Sequence, residues 1–370
     1  MHVADTAIKG KSVRETQLPL DQFGEPIKGV SLWLDAWRRL RKNRMALIGL
    51  SVVILYSIIS VLAPVLPIHS YKHQVLDHQY LPPSLTKNAG QLLYERQVAL
   101  FQQAAKDAGL EAMPAEFEQQ LEIYREQLAT ETQEFDGVAI KVHERRYILG
   151  TDGLGRDLLS RIIYGSQVSI SIGLIGTLTA VMIGLIIGAL AGYVGGTFDY
   201  IAMRVVDVMY GLPYMLLVII FMAVFGRNII NLFVCLALVS WLTVSRVVRG
   251  QMISLKNSEF VQAARVVGAS PGRIIFRHLV PNTLGVVVIF ATLQIPNFIL
   301  LESFLSYLGL GVQAPMASWG SLVRDGVDAV SIYPWMLFFP ALAMTVFLFS
   351  MNFLGDGLRD ALDPQSKNVL

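Results

Sequence analysis

Residues 258–282 read SEFVQAARVVGASPGRIIFRHLVPN. The stretch is polar and basic, yet apolar runs of membrane-crossing length stand on both sides of it. Its punctuation is helical. Ser258 is a good N-cap, and Glu259 in the first turn favours the helix dipole. Phe260, Ala263, Ala264 and Val267 share one stripe, and Gly268 stands where a helix ends in a left-handed residue. Ser270 caps a second helix and Pro271 occupies its first turn. Ile274, Ile275, His278 and Leu279 follow, and Pro281 is expected to stop this helix before the next apolar run. Two short helices around a glycine turn, tethered at both ends to membrane-length runs, suit insertion into the groove of a partner. The alanines leave no bulk to oppose it.

The surrounding chain has 370 residues, of which 54% are hydrophobic and only 16% charged. Soluble domains carry about 25% charge. The apolar residues cluster into six runs, at 45–66, 166–194, 200–225, 229–248, 284–304 and 332–354. About 20 such residues cross ~30 Å of hydrocarbon. The expected fold is an all-α polytopic membrane protein with six spans, surrounded by membrane lipid. A net charge of +2 gives no basis for a nucleic-acid partner. The lone Cys235 allows no intrachain disulfide.

Arg38, Arg39, Arg41, Lys42 and Arg44 precede the first run and hold that end in the cytoplasm. Residues 1–44 therefore read as a cytoplasmic tail ending in an amphipathic helix, with Trp33, Leu34, Trp37 and Leu40 at helical spacing. Residues 1–30 have no apolar core of the kind a cleavable signal needs. Six spans place both termini in the cytoplasm, residues 67–165 outside the cell membrane, and residues 258–282 inside. Residues 166–370 carry the remaining five spans.

Within 67–165, Tyr94, Val98, Phe101, Ala105 and Ala108 repeat at steps of four and three, and Gly109 ends that helix. Pro114 opens another, carrying Phe117, Leu121, Tyr124 and Leu128. Together they make a helical hairpin with a narrow apolar seam. Its second arm is acidic (Glu116, Glu118, Glu122, Glu126), and Glu131 and Glu134 follow. Further on, Gly153 and Gly155 permit a tight turn, and Asp152, Arg156, Asp157 and Arg161 are placed to pair locally. This turn lacks the Gly-Lys-Ser/Thr ending of a phosphate loop.

Gly184, Gly188, Gly192 and Gly196 recur every four residues, which lets a neighbouring helix approach closely. In 200–225, Arg204 and Asp207 are positioned to pair, and Pro213 is expected to kink the span. Residues 305–331 read as an outer loop broken by Gly and Pro and containing Trp319 and Asp325. Asp207 and Glu302 are candidate pathway or gate residues, because ionisable groups at membrane depth usually face a cavity. His69, His73 and His78 are too loosely spaced to form a metal set, so no metal is expected.

The 258–282 stretch resembles the EAA loop of ABC-importer permeases. Gln262-Ala263-Ala264 takes the place of the Glu-Ala-Ala triplet, and Gly268 that of the glycine. Gln262 replaces the usual glutamate, which removes an ionic contact and leaves the shape. Four segments resemble the C-type permease subunit of oligopeptide and dipeptide importers: 149–165, 204–217, 268–282 and 302–323. Residues 85–135 stand outside the resemblance as an insertion.

The resemblance implies half of a translocation pathway, shared with a second homologous permease. It implies two ABC ATPase subunits seated on the EAA loops and an extracytoplasmic substrate-binding protein. ATP and Mg would be bound by the ATPases, with no cofactor or catalytic residue on this chain, in a bacterial inner (cytoplasmic) membrane. The ATPase-coupling residues would be Glu259, Phe260, Gln262, Ala263 and Ala264, followed by Gly268, Ala269, Pro271, Arg273 and Arg277. The substrate would be a peptide. A permease for another solute, nickel or a glycoside, shares the EAA loop. A secondary transporter would show inverted repeats and a midplane ion site, and an enzyme would show a clustered nucleophile or metal set. Neither signature is present.

Overall fold

The structure is a computed structural model that describes residues 32–110 and 112–362. Expectations for 1–31 and 363–370 fall outside it. Among the described residues, five helical runs are long and apolar enough to cross a membrane: Arg44–Val65, Leu158–Val194, Ile229–Leu255, Pro271–Tyr307 and Trp335–Leu362. A sixth crossing exists if one bent pair of helices counts as a span.

Helix α1 (Leu32–Leu40) turns Trp33, Leu34 and Trp37 outward, while Ala36 and Leu40 pack with Ala46 and Leu354. The expected stripe thus divides, with Leu40 on the protein side. Helix α2 (Arg44–Leu62) starts at Asn43, whose Oδ1 accepts from the Ala46 N–H at 3.1 Å.

The hairpin segment follows. Helices α3 (Ala89–Asp107) and α4 (Ala115–Thr130) pair through stacked Phe101 and Phe117, with centroids 4.6 Å apart. Gly109 has φ +73° and ends the first arm as expected. Ala108, placed in the seam by its spacing, is exposed. Strands β1 (Gln133–Phe135) and β2 (Val138–Ile140) then form an antiparallel pair. Asp136 and Gly137 turn between them with positive φ, the Asp-Gly pattern of a tight hairpin.

A buried polar chain closes the base of this segment. His78 Nδ1 bonds Tyr147 Oη at 2.8 Å, and His78 Nε2 bonds His143 Nδ1 at 2.9 Å. Burial pushes His78 down to about 3 and Tyr147 up to about 12, so both are neutral at ordinary pH.

Helix α5 (Leu158–Val194) has 37 residues and begins eight residues before the apolar run. At 1.5 Å per residue it is about 55 Å long, well beyond the hydrocarbon thickness. Asp157 caps it, accepting from the Ser160 N–H at 3.2 Å, and so does not join the arginine pairs. Those pairs centre on Asp152, with Arg156 at 2.7 Å and Arg161 at 2.5 Å.

The 200–225 run is two helices, α6 (Gly196–Gly211) and α7 (Tyr214–Phe225), meeting at 83°. Pro213 drives its predecessor Leu212 to an extended conformation, ψ 139°, which breaks the helix where only a kink was expected.

Helix α8 (Ile229–Leu255) lies along α5. A Cβ built on Gly184 would meet Val244, one on Gly188 the Ser245 carbonyl, and one on Gly192 Met252. The paired numbers rise together, so α5 and α8 run parallel. Gly196 does not share this face. Its φ is +59° and nothing lies near it, because it begins α6.

Helix α9 (Glu259–Val266), the short α10 (Pro271–Arg273) and a π-helical turn at Ile274–Leu279 lead into α11 (Val280–Tyr307). Pro281 does not stop the chain. The wider π turn precedes it, with Val280 N–H bonding Ile275 O, and absorbs the ring that would clash in a regular helix. The second short helix and the fifth span are therefore one continuous rod, Pro271–Tyr307. Within 305–331, an 11-residue helix α12 (Trp319–Ala329) replaces the expected loop. Ser318 and Ser321 form its capping box, a signal the glycines and proline obscured. Helix α13 (Trp335–Leu362) runs antiparallel to α2, with Gly357 against Ala46 and Gly49 against Ser350.

Candidate coupling loop and groove

The loop at 258–282 has one anchored face and one bare face. Val261, Ile274, Ile275 and Leu279 are buried with Ala189 of α5 and Val244, Val248 and Met252 of α8. Lys256 Nζ donates to the Gly192 carbonyl at 3.3 Å, and the Arg265 guanidinium stands over the Tyr193 ring at 5.8 Å. The loop's inner face therefore packs directly on the glycine-packed α5–α8 pair.

On the bare face, Val266 is 88% exposed, Val267 87%, Phe276 64% and Phe260 40%. Val266 and Val267 are almost uncovered among the described residues, and Phe276 and Phe260 keep a large apolar surface in the open. The anticipated stripe of Phe260, Ala263 and Val267 points away from the body of the chain, with Ala264 partly covered. Val261, out of phase with that stripe, is the true anchor, and no pattern within α9 alone distinguishes it.

The turn has the geometry its residues demand. Gly268 has φ +84°, the Gly268 N–H bonds Arg265 O at 3.0 Å, and the Ala269 N–H bonds Ala264 O at 3.0 Å. This is a Schellman ending. Ser270 caps α10, accepting from the Arg273 N–H at 3.4 Å. Ser258 occupies the N-cap position but makes no capping bond, since its hydroxyl donates back to Leu255 O at 2.6 Å. Gln262 Nε2 donates to Asn257 O at 2.9 Å, a link within the loop. Glu259, Pro271, Arg273 and Arg277 are exposed.

Further along the helices, a groove of about 500 Å³ opens between α6–α7, α8 and α11. Phe298, Leu301 and Met215 give it an apolar floor, and Tyr210, Thr243, Gln294 and Asn297 give it uncharged polar groups. Among the described residues, none with a carboxylate, amine, guanidinium or imidazole lines it. Tyr210 Oη and Thr243 Oγ1 share a 2.6 Å hydrogen bond. Asp207 lies outside the lining, held by Arg246 at 2.6 Å. Nearby, Asp199 receives two bonds from Arg249, at 2.5 and 2.6 Å. The two ion pairs pin α6 to α8.

Glu302 does not reach the groove either. It is fully buried, and its Oε1 accepts from Ser306 Oγ at 2.5 Å and Ser318 Oγ at 2.6 Å. It fastens α11 to the cap of α12. Trp319 completes that junction, its backbone N–H bonding Ser169 Oγ at 3.0 Å and its indole N–H bonding Ile162 O at 3.2 Å.

Two family models match this chain. One, the binding-protein-dependent transport system inner membrane component, covers residues 184–368, which hold the glycine face, the groove and the loop. The other, the N-terminal transmembrane domain of oligopeptide transport permease C, covers 31–83. The oligopeptide transport system permease protein OppC of Escherichia coli K12 is 38% identical over 350 residues, 94% of this chain and 97% of the relative. The chain belongs to this permease family. The dipeptide transport system permease protein DppC of Bacillus subtilis is 37% identical over 332 residues, 90% of this chain and 85% of that one. An OppC from Haemophilus influenzae is 47% identical over 224 residues, 60% of this chain and 72% of its own length. The chain is thus an inner-membrane permease component. Neither family model reaches 84–183, the interval that holds the helical hairpin and His143.

Proposed function

We propose that this permease forms half of the pathway of an ATP-driven peptide importer and receives its motion through residues 258–282. The observation that carries the reading is the two-faced loop. Its inner side is packed into α5 and α8, and its outer side presents bare Phe260, Val266, Val267 and Phe276. A cytoplasmic ATPase with a complementary groove would grip the bare face, and the continuous Pro271–Tyr307 rod would carry the displacement to the groove wall. Two such ATPases, binding ATP and Mg, would act on this chain and on a second homologous permease.

The relatives named for oligopeptide and dipeptide transport support a peptide substrate. The groove chemistry agrees with it. Amides and hydroxyls can bond a peptide backbone, and an uncharged lining does not discriminate among side-chain charges. No observation favours nickel or a glycoside.

In this reading the bent α6–α7 pair completes six spans. Both termini and the coupling loop lie in the cytoplasm, and the hairpin lies outside, where a substrate-binding protein docks. Reconstitution with the ATPase subunits tests the coupling. Phe260→Ala is expected to leave assembly intact and remove the stimulation of ATP hydrolysis by peptide-loaded binding protein. Unchanged stimulation would sink the proposal. Topology is tested separately by Glu122→Cys, which should react with an impermeant thiol reagent from outside only.

A further inference from the structure

We propose that Asp77, Glu131 and His143 form a site for a divalent transition-metal ion of the zinc type, which clamps the base of the hairpin. Each offers one ligand atom, and the three atoms lie within 4.8 Å of one another. Bonds of about 2.0–2.2 Å around one zinc bring ligand atoms to roughly 3–4 Å apart. The carboxylates of Asp77 and Glu131 are exposed and free to close that gap.

The imidazole is already held as a metal-bound histidine is held. His143 is 3% exposed, and its Nε2 faces Glu131 Oε2 at 3.1 Å. Its other nitrogen, Nδ1, bonds His78 Nε2 at 2.9 Å, and His78 is itself fixed by Tyr147. With an ion bound, Nδ1–H would be donated to His78 and the Nε2 lone pair would face the metal between the two carboxylates; without one, Nε2–H donates to Glu131. Such a second layer of partners fixes the tautomer and the ring orientation of metal ligands.

Electrostatics favours a cation at the same point. Glu131 is the C-cap of α4, where the helix dipole is negative, and Asp77 adds a second negative charge. A dication answers both. One imidazole with two carboxylates is a borderline donor set that suits zinc and its neighbours better than calcium or magnesium, which take oxygen alone. Water would complete the coordination. The ion would tie the turn at Leu76–His78, before the hairpin, to the end of α4 and the turn at Val142–Glu144, after it.

The test uses the complete transporter in lipid nanodiscs, stripped with chelator and equilibrated with Zn²⁺. Metal content should reach one zinc per chain above that of Asp77→Asn and Glu131→Gln. Both variants change exposed side chains and keep the hairpin folded, checked by its protease resistance without metal. Their zinc affinity should fall at least tenfold, and zinc should protect α3–α4 from protease in the wild type only. Cobalt should give visible absorption bands in the wild type that His143→Gln lacks. Zinc content equal in wild type and both variants would overturn the site, leaving a His143–Glu131 hydrogen bond and nothing more. So would displacement of zinc by an equal concentration of Mg²⁺.

Discussion

Asp207 on α6 accepts a hydrogen bond from Arg246 on α8 at 2.6 Å, while Arg204, one turn earlier on its own helix, stands 3.9 Å away. The expected i,i+3 ion pair along α6 is present but long, and the hydrogen-bonded partner of Asp207 lies across on α8. Arg246 also lies over the Tyr210 ring at 4.1 Å, at the edge of the groove. Both charged side chains are about half exposed, so the pair is worth at most about 1 kcal/mol. A double-mutant cycle on thermal unfolding should give a coupling of that size for Asp207→Asn with Arg246→Gln. The same cycle with Arg204→Gln should give almost none.

The α5–α8 contact should show its dependence on missing side chains. A Cβ at Gly188 meets backbone of α8, which cannot swing aside. Gly188→Ala is expected to destabilise by about 1–3 kcal/mol, the usual penalty for overpacking. Gly250, inside α8 with open space around it, is the control. Gly250→Ala should be neutral or stabilise by up to ~1 kcal/mol through helix propensity. Thermal denaturation of the purified chain in detergent reads both, and equal losses at the two sites would contradict the packing account.

In the 258–282 loop, folding and the proposed coupling should separate by face. Val261 is fully buried, and Val261→Ala should lower stability by about 1–3 kcal/mol. Gly268→Ala forces a side chain into φ +84° and should cost about 1–2 kcal/mol. Phe260→Ala removes a side chain 40% exposed and should lower the melting temperature less than Val261→Ala while transport is lost. Differential scanning fluorimetry beside a transport assay distinguishes these outcomes.

How much of this was legible in the sequence depends on how local each signal is. Gly268, Ser270 and Gly109 act within one turn, so their caps and endings were legible. The hairpin seam was legible because Phe101 and Phe117 each sit in an unbroken periodic run. Pro281 misled because its effect depends on hydrogen bonds made one turn earlier, where the helix widens to π geometry. Helix α12 was hidden by neighbouring glycines, although its Ser318–Ser321 capping box was present. Val261 and Glu302 needed the tertiary packing to be read, one as the loop's anchor and the other as a buried fastener. His78 and His143 are 65 residues apart, and only the closed hairpin brings them together.

Glu302 tests whether the α11–α12 junction depends on shape or on charge. Its Oε1 is the shared acceptor for two buried hydroxyls, from Ser306 and Ser318. Glu302→Gln keeps a carbonyl oxygen at that point and nearly the same volume, so both hydroxyls stay bonded. Glu302→Ala leaves them without an acceptor, at about 1–3 kcal/mol for each buried unsatisfied group. It also opens a cavity beside Trp319. The Ala variant should expose residues 308–318 to hydrogen exchange, because Ser318 caps the helix that holds this loop down. The Gln variant should protect them as the wild type does. Equal exchange in all three proteins would mean that Trp319 and its bonds to Ser169 and Ile162 hold the junction without help from the carboxyl.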